Sequence, residues 1–282
     1  MGYQYRKSSK LWLTIFIGWL LICFTVLKSL SIRELPVFLF LALFWFYGIF
    51  NLSVFVVSHF VKSKVPSLPN PNPHPLKVAI LYCCYNDFSE NALKSILQLN
   101  YESKTVYILD DSTDNSVRNQ IDNFANKYGV KVLRRKERKG WKAGAINNAL
   151  EKVDADYIVL ADSDEILPRD FIEKTLAYFS DPKIAFVQAN HYCYSEENEW
   201  VKLMGVGVDL HWNHYQEYRN KYGLVQLLGH GAIIRADVLK KLGGFPEVVS
   251  EDLALTLKLA QNGFRGVFAK DVVWGVFSSK LF

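Results

Sequence analysis

The stretch that decides the fold is residues 157–165, YIVLADSDE, in which an apolar run stops at two aspartates. A short apolar run with β-branched residues is typical of a strand buried on both faces of a parallel sheet. Ligands of open parallel sheets bind outside the carboxyl ends of the strands. The stretch therefore predicts a central strand that delivers Asp162 and Asp164 to the edge of a sheet.

The spacing of Asp162 and Asp164 suggests a cation site. Their side chains project to the same side if the backbone stays extended through Ser163, because side chains alternate along a strand. Two carboxylates about 4 Å apart repel by roughly 4 kcal/mol at an effective dielectric constant near 20, and a hard divalent cation would relieve that repulsion. Alternatively, the acids cap the helix that is predicted to follow at Pro168. This stretch alone leaves both interpretations open.

Strands and helices alternate along most of the chain, on both sides of the opening stretch. Regular alternation of this kind implies right-handed crossovers and a parallel sheet. The predicted fold class is α/β, with a doubly wound, mostly parallel sheet. Further strands are predicted at 78–83, 105–109, 130–133 and 184–189, with a strand-like segment at 272–277, and helices at 90–99, 115–128, 141–151, 168–179, 196–222 and 250–262.

A second acidic pair, Asp110 and Asp111, ends the second predicted strand. Two strands of one parallel sheet thus end in paired acids, although aspartate is also common in turns that simply end a strand. The basic run at 134–142 leads into a helix, whose N-terminal amides and dipole attract anions. Lys139 and Lys142 are thus placed to meet a diphosphate, although such a run is usually a solvated surface. Neither the P-loop motif nor the dinucleotide-binding fingerprint occurs in the sequence.

Ser250, Glu251 and Asp252 open a predicted helix and have two interpretations. Serine is a favoured N-cap, and acids in the first turn gain about 0.3–1 kcal/mol from the helix dipole. Alternatively, Asp252 is a general base, a carboxylate that takes the proton of a hydroxyl within hydrogen-bond reach. Taken alone, the motif favours capping. His230 stands between two glycines, which indicates a loop histidine rather than a catalytic one.

Two apolar runs without acidic or basic residues, 11–27 and 35–61, precede the α/β region. As helices they would reach about 25 and 40 Å, against a hydrocarbon core of about 30 Å. We therefore expect an N-terminal membrane hairpin over residues 1–65, a Pro-rich linker over 66–76 and one domain over 77–282. Basic residues outside both runs predict a multi-pass cell-membrane protein whose main domain is cytoplasmic. A cleaved signal peptide is the alternative, and the second run argues against it.

The bulk composition excludes other classes of protein. The net charge of +5 is modest, and beside a membrane hairpin it fits membrane topology and phosphate-binding groups rather than a nucleic-acid partner. The four cysteines show no ligand spacing. They predict reduced, structural thiols rather than disulfides or a zinc site.

Seven short motifs occur in one order along residues 77–275, and each alone is a weak signal. Together they resemble the family-2 glycosyltransferases with the GT-A fold, in particular the membrane-anchored branch that contains the cellulose, chitin and hyaluronan synthases. The ordered set is specific even though its members are short. The motifs are Tyr85-Asn86-Asp87, residues 108–111 (ILDD), residues 139–147 (KGWKAGAIN), residues 161–164 (ADSD), Gly229-His230-Gly231 with Arg235, Gly243-Gly244-Phe245 and Ser250-Glu251-Asp252.

The resemblance implies a donor site for a nucleotide-diphosphate sugar, a UDP- or GDP-sugar. By that resemblance, Asp110 and Asp111 would contact the base and ribose. Lys139 or Lys142 would contact the diphosphate. The fold implied is GT-A, a Rossmann-like variant of the doubly wound sheet.

The resemblance also implies a metal and a base. Asp162 and Asp164 would form the DxD motif, which meets the donor through Mg²⁺ or Mn²⁺. Asp252 would deprotonate the hydroxyl of a saccharide or lipid-linked acceptor, with inversion at the anomeric carbon. The candidates on the acceptor side are Gly229, His230 and Glu251.

One departure from the resembling synthases shapes the functional expectation. Their processive members continue past the Glu-Asp helix into a Gln-x-x-Arg-Trp motif and further membrane spans, which this sequence lacks. We therefore expect a C-terminally truncated domain that adds single sugars or is completed by a separately encoded partner subunit. Two alternatives stay open: a non-catalytic subunit that binds nucleotide sugar or scaffolds a partner, and a metal-dependent nucleotidyltransferase, which would release pyrophosphate.

Overall fold

The structure, a computed structural model, describes residues 2–60, 75–193 and 199–276. These residues form two compact units. The first combines residues 2–60 with residues 213–224, and the second contains the other described residues from position 75 onward. Most of the expected Pro-rich linker, up to position 74, lies outside the described residues.

The secondary structure follows the predicted alternation, and the bounds differ by a few residues. The strands are β1 (Val78–Cys84), β2 (Lys104–Asp110), β3 (Lys131–Leu133), β4 (Tyr157–Asp162), β5 (Glu165–Ile166), β6 (Ile184–Cys193), β7 (Ala232–Arg235) and β8 (Arg265–Val276). The helices are α1 (Gly2–Leu27), α2 (Leu35–Phe60), α3 (Glu90–Leu97), α4 (Asn115–Tyr128), α5 (Trp141–Leu150), α6 (Phe171–Leu176), α7 (Glu199–Leu210), α8 (Glu217–Tyr222), α9 (Ala236–Lys241) and α10 (Glu251–Gln261).

The first unit holds the apolar helices. Within the described part of the chain, α2 is the one helix long and apolar enough to cross a bilayer, and the apolar part of α1, Leu13–Leu27, is shorter. In the same unit the segment 213–224 packs against α2. Ser58 Oγ lies 2.8 Å from His214 Nδ1, and the Tyr215 hydroxyl donates to Asn51 Oδ1 at 2.9 Å.

The second unit is built on one eight-stranded sheet with the strand order β3-β2-β1-β4-β7-β6-β8-β5. Strands β1 to β4 run parallel to their neighbours among themselves, and β6 is parallel to β8. β7 lies antiparallel between β4 and β6, and β5 is antiparallel to β8. The sheet is therefore mixed but mostly parallel, as predicted.

β4 occupies the centre of this sheet, with β1 on one side and β7 on the other. Its residues from Ile158 to Ala161 are fully buried, as expected for a strand covered on both faces. Asp162 is the last residue of the strand, so the acidic residues leave the sheet where β1 and β2 also end.

Three elements were not assigned from the sequence: β5, β7 and α9. Each has six residues or fewer, which is too short for hydrophobic periodicity to reveal. The predicted helix at 196–222 is present from Glu199 onward as α7 and α8, joined by a π-helical turn at His211–Gln216. The last strand begins at Arg265, seven residues before the predicted segment, and residue 277 lies outside the described part.

Candidate active site

The carboxyl ends of β1, β2 and β4 enclose a cleft of about 450 Å³. This is the edge where ligands of doubly wound sheets bind. The side chains around it come from all three strand ends and from the start of α5, and we call it the donor-side cleft. Among its lining residues are Cys83, Tyr85, Asp87, Asp111, Arg138, Lys142, Asp162, Ser163 and Asp164.

Asp111 enters this cleft as one half of a two-point ion pair. Arg135 Nε donates to Asp111 Oδ1 at 2.8 Å, and the Nη2 of the same guanidinium donates to Oδ2. Arg138 approaches the same carboxylate at 3.8 Å and lies over the Tyr85 ring, 3.5 Å from its centroid. The paired geometry holds Asp111 rigidly, because an Arg–carboxylate fork fixes both groups.

Asp110 does not line the cleft, although the resemblance had placed it there beside Asp111. Its side chain is fully buried. One carboxylate oxygen accepts from the Ser112 amide at 2.9 Å and the other from Arg134 Nε at 2.6 Å. Asp110 thus anchors the end of β2, and the structure brings only Asp111 of this pair to the cleft.

Asp162 and Asp164 both line the cleft, and Lys142 contacts the first of them. Burial disfavours the charged form of Lys142, but the Asp162 carboxylate outweighs it and raises the lysine pKa above its ordinary value. Burial, reinforced by Asp162, raises the pKa of Asp164. The two acids therefore repel each other as the sequence predicted, and Lys142 already offsets part of that charge.

Asp162 and Asp164 suit a divalent cation as two hard oxygen donors at an open cleft. The raised pKa of Asp164 reflects mainly the cost of burying its charge, which a bound cation would offset. No group of three His, Cys, Asp or Glu side chains able to hold a metal ion occurs among the described residues. Mg²⁺ typically uses one or two carboxylates and completes its shell with substrate phosphates and water, so the donor set fits an ion that arrives with a diphosphate.

The motif Tyr85-Asn86-Asp87 after β1 binds the neighbouring strand ends together. Asn86 has a positive φ of 60°, which asparagine tolerates, and its Oδ1 accepts from the amides of Thr113 and Asp114 at 2.9 Å each. Asp87 accepts a hydrogen bond from the Ser163 hydroxyl at 2.5 Å. The ends of β1, β2 and β4 are thereby fixed to one another around the cleft.

The start of α5 is held by the same arginine that binds Asp111. Arg135 donates to the carbonyl oxygens of Lys139 at 2.5 Å and Trp141 at 2.6 Å. Lys139 itself is exposed and does not line the donor-side cleft, so the structure brings Lys142 rather than Lys139 to the acids. Arg135 and Arg138 were not singled out from the sequence, where they lie inside a uniform basic run.

Gly144 explains why α5 can pack so closely on this arginine. A Cβ at Gly144 would lie 2.0 Å from the carbonyl oxygen of Lys139 and 2.5 Å from Arg135 Nη1. We expect Gly144→Ala to lower the free energy of unfolding by about 1–3 kcal/mol through overpacking. Thermal unfolding in detergent would measure it. Gly207→Ala in α7 is the matched control, since its Cβ would meet nothing within 4 Å; equal midpoints for the two variants would contradict the prediction.

A second group of predicted site residues lies around Gly229. A Cβ at Gly229 would lie 3.7 Å from Asp252 Cβ, 3.9 Å from Glu251 Oε1 and 3.9 Å from Lys142 Nζ. Ser250 makes no side-chain capping hydrogen bond to α10, so the capping interpretation does not account for the serine of this motif. Atoms of Asp252, Glu251 and Lys142 thus all lie close to Gly229, and Lys142 also contacts Asp162.

His230 is directed elsewhere, into a buried pair with Glu165. His230 Nδ1 lies 3.1 Å from Glu165 Oε1, and the Glu165 side chain is 1% exposed. Burial raises the pKa of Glu165 to about 7, and His230 counteracts part of that rise. Glu165 was not singled out from the sequence. The only sequence signal for Glu165 was its adjacency to Asp164, which did not indicate that His230 would be its partner.

This pair makes a pH-dependent prediction. His230→Ala leaves the buried Glu165 carboxylate without its counter-charge, and breaking a buried pair costs about 3–5 kcal/mol. The unfolded carboxyl ionises above its ordinary pKa while the folded one resists ionisation, and the raised pKa of His230 keeps its counter-charge present near neutral pH but not well above it. The loss should therefore be larger at about pH 7 than at about pH 5, and thermal unfolding at both pH values would measure it. Adding Glu165→Gln should restore stability at pH 7, and no rescue would contradict the ion-pair explanation.

Comparison with protein-family models matches residues 74–282 to the family described as glycosyltransferase like family 2. A curated relative, the cellulose synthase catalytic subunit [UDP-forming] of Pseudomonas fluorescens, is 31% identical over 170 residues, or 58% of this chain and 22% of that protein. Glucomannan 4-beta-mannosyltransferase 1 of Cyamopsis tetragonoloba is 30% identical, over 59% of this chain and 34% of that protein. The matched regions thus make up only about a fifth to a third of the length of these relatives.

Solved structures show the same fold at low sequence identity. A mannosyltransferase from Pyrobaculum calidifontis, in complex with GDP-Man and Mn²⁺, superposes with a TM-score of 0.63 at 22% identity, covering 82% of this chain and 65% of that one. TarS of S. aureus in complex with UDP gives a TM-score of 0.52 at 19% identity, covering 72% and 61%. Both structural similarities show that the α/β fold is shared.

Proposed function

The chain belongs to glycosyltransferase family 2, and from that premise we propose that it is a membrane-anchored, metal-dependent, inverting glycosyltransferase. It transfers a sugar from a nucleotide-diphosphate sugar to a saccharide or lipid-linked acceptor. The observation that carries the proposal is the position of Lys142, which contacts Asp162 and, like Asp252 and Glu251, has an atom within 4 Å of where a Cβ at Gly229 would lie. Donor and acceptor groups therefore have a common meeting point.

On the donor side, Asp111 binds the nucleoside and Lys142 the diphosphate. Arg135 fixes Asp111 through two hydrogen bonds, so the carboxylate can accept from ribose or base without reorganising. Lys142 keeps its charge at neutral pH despite its burial, because the Asp162 carboxylate outweighs the cost of that burial and keeps the lysine pKa raised. That charge stabilises the negative charge that develops on the leaving diphosphate. Relatives named UDP-forming and a GDP-Man complex of the same fold support a UDP- or GDP-sugar donor.

Asp162 and Asp164 would hold the cation that accompanies the diphosphate. A divalent ion there would supply Lewis-acid stabilisation of the leaving group. The chain's own contribution is to present two carboxylates, one from the end of a buried strand and one from the turn that follows it. A Mn²⁺ complex of the same fold supports Mn²⁺ or Mg²⁺ as the ion.

On the acceptor side, Asp252 is the general base. It takes the proton of the acceptor hydroxyl as that oxygen bonds to the anomeric carbon from the face opposite the diphosphate. The bond from the anomeric carbon to the diphosphate oxygen breaks, and the nucleoside diphosphate leaves with the electron pair. One displacement inverts the anomeric centre. The proposal places this domain on the cytoplasmic side of a cell membrane in which α2, and α1 with it, is the anchor.

The test is product analysis with the full chain in detergent. UDP-glucose, UDP-N-acetylglucosamine and GDP-mannose would be offered with Mn²⁺ or Mg²⁺ and with oligosaccharide or lipid acceptors. Release of nucleoside diphosphate that an acceptor stimulates supports the proposal. Release of pyrophosphate would indicate a nucleotidyltransferase, and donor binding without turnover would indicate a non-catalytic subunit.

A further inference from the structure

A second cleft of about 300 Å³ lies beside the start of α5 and has no role in the mechanism above. Trp141 and Lys142 form one wall, and Val248, Val249 and Glu251 form the other, on the segment that leads into α10. Its volume is at the lower end of the range for small-molecule sites. The walls combine apolar groups with one cation and one carboxylate, the composition of a site that both packs against a ligand and orients it.

Trp141 is unusual in this wall for two reasons. Its φ is 44°, in the left-handed region that bulky residues rarely adopt, and its side chain is 55% exposed. The conformation is imposed by contacts: Gly140 also has a positive φ, and Arg135 binds the carbonyl oxygens on both sides of the turn. Strained residues that their surroundings over-determine cluster at functional sites. Here the strain serves to hold an indole on the wall of the cleft instead of in the core.

The second cleft and the donor-side cleft share Lys142. The second cleft also includes Glu251, the neighbour of the proposed base Asp252. A group-transfer site needs two pockets that meet at the reacting atoms, one for each substrate. The donor-side cleft contains Asp111 and the DxD acids, so the second cleft lies where the other substrate must approach.

We propose that the second cleft binds the acceptor as a saccharide, with one sugar ring against the indole of Trp141; this inference rests on the proposed function. A pyranose ring has an apolar face that packs on an aromatic ring and a rim of hydroxyl groups. Trp141, Val248 and Val249 offer the apolar surface, and Glu251 accepts hydrogen bonds from hydroxyls. A hydrocarbon chain in the same place would bury the Glu251 carboxylate against apolar groups, which is costly.

The test compares Trp141→Ala with Trp141→Phe in the full chain. Cellotetraose and mannotetraose serve as acceptor probes, and their binding is measured by calorimetry and their KM by nucleoside diphosphate release. Trp141→Ala should raise the acceptor Kd and KM at least tenfold, and Trp141→Phe should recover most of the loss. Affinity for UDP or GDP, measured by thermal shift, should change less than twofold. Leu257→Ala is the control, an exposed apolar residue of α10 that lines neither cleft.

The other possible results would contradict either the acceptor cleft or the proposed function. Unchanged acceptor affinity in Trp141→Ala, or a wild type that binds neither oligosaccharide, overturns the acceptor cleft. An equal loss of nucleotide affinity would show that the indole only supports the start of α5. If the wild type releases no nucleoside diphosphate from any donor, the proposed function fails. Calorimetry of the oligosaccharides alone then still tests whether Trp141 binds a saccharide.

Discussion

Replacing Asp252 with asparagine should lower the rate of sugar transfer by about 10²–10⁴-fold, the range that a positioned general base contributes. Asparagine keeps the size of the side chain but cannot take a proton at neutral pH. Asp252 does not line the donor-side cleft, so donor affinity should stay within about twofold of the wild-type value. A fall in kcat without loss of donor binding identifies a group that acts mainly in the transition state.

The experiment needs a control for the helix terminus, because an acid in the first turn also stabilises its helix by about 0.3–1 kcal/mol. Asp237→Asn provides it, since Asp237 occupies the first turn of α9. Transfer rates would be measured by nucleoside diphosphate release, and donor affinity by calorimetry. If Asp252→Asn and Asp237→Asn transfer sugar equally fast, Asp252 is a helix-terminus acid and the base must be sought elsewhere.

The central strand could be predicted because the information is local. A run of buried β-formers identifies β4 without knowledge of its neighbours. Asp162 and Asp164 both reach the cleft, but a turn at residues 163–164, not the extended backbone that the prediction assumed, brings Asp164 there. The resemblance added roles for these acids, and the family match confirms the kind of protein in which they occur.

The different fates of Asp110 and Asp111 depend on a long-range pairing. β3 lies next to β2, and the arginines that follow β3 reach the acids that end β2, so Arg134 binds Asp110 while Arg135 binds Asp111. Adjacent residues near a strand end point to different sides, which means that only one of two adjacent acids could face the cleft. The sequence contained that signal. It did not show which strand would be the neighbour.

The contact made by His230, an acceptor-side candidate, was less predictable because it too depends on long-range strand pairing. Glu165 and His230 are far apart in sequence, and their contact forms because β7 inserts antiparallel beside β4. A strand of four residues after a glycine-rich loop carries too little pattern to be recognised. His230 is in a loop, as predicted, but the sequence did not show that it forms an ion pair with a carboxylate adjacent to the DxD motif.

Replacing Asp164 with asparagine should weaken metal-dependent binding of the nucleotide sugar at least tenfold, or about 1.4 kcal/mol, and transfer should fall with it. The metal-free variant should be no less stable than the wild type. Burial and Asp162 raise the pKa of Asp164, so holding it ionised at neutral pH costs folding free energy that asparagine removes. That relief should fade as the pH falls toward the ordinary pKa of an aspartate, because the wild-type carboxyl is then protonated in both states.

The thermal shift produced by UDP or GDP with Mn²⁺, with and without a chelator, separates the two effects without measuring catalysis. Asp170→Asn is the control, since Asp170 pairs with Lys174 on α6 and lies outside both clefts. The wild type and Asp170→Asn should gain stability from nucleotide only when metal is present, and Asp164→Asn should gain little in either case. If Asp164→Asn shows the full metal-dependent shift, the cation is not held by the DxD acids. Lys142 would then be the main countercharge to the diphosphate, because it lines the same cleft as the two acids.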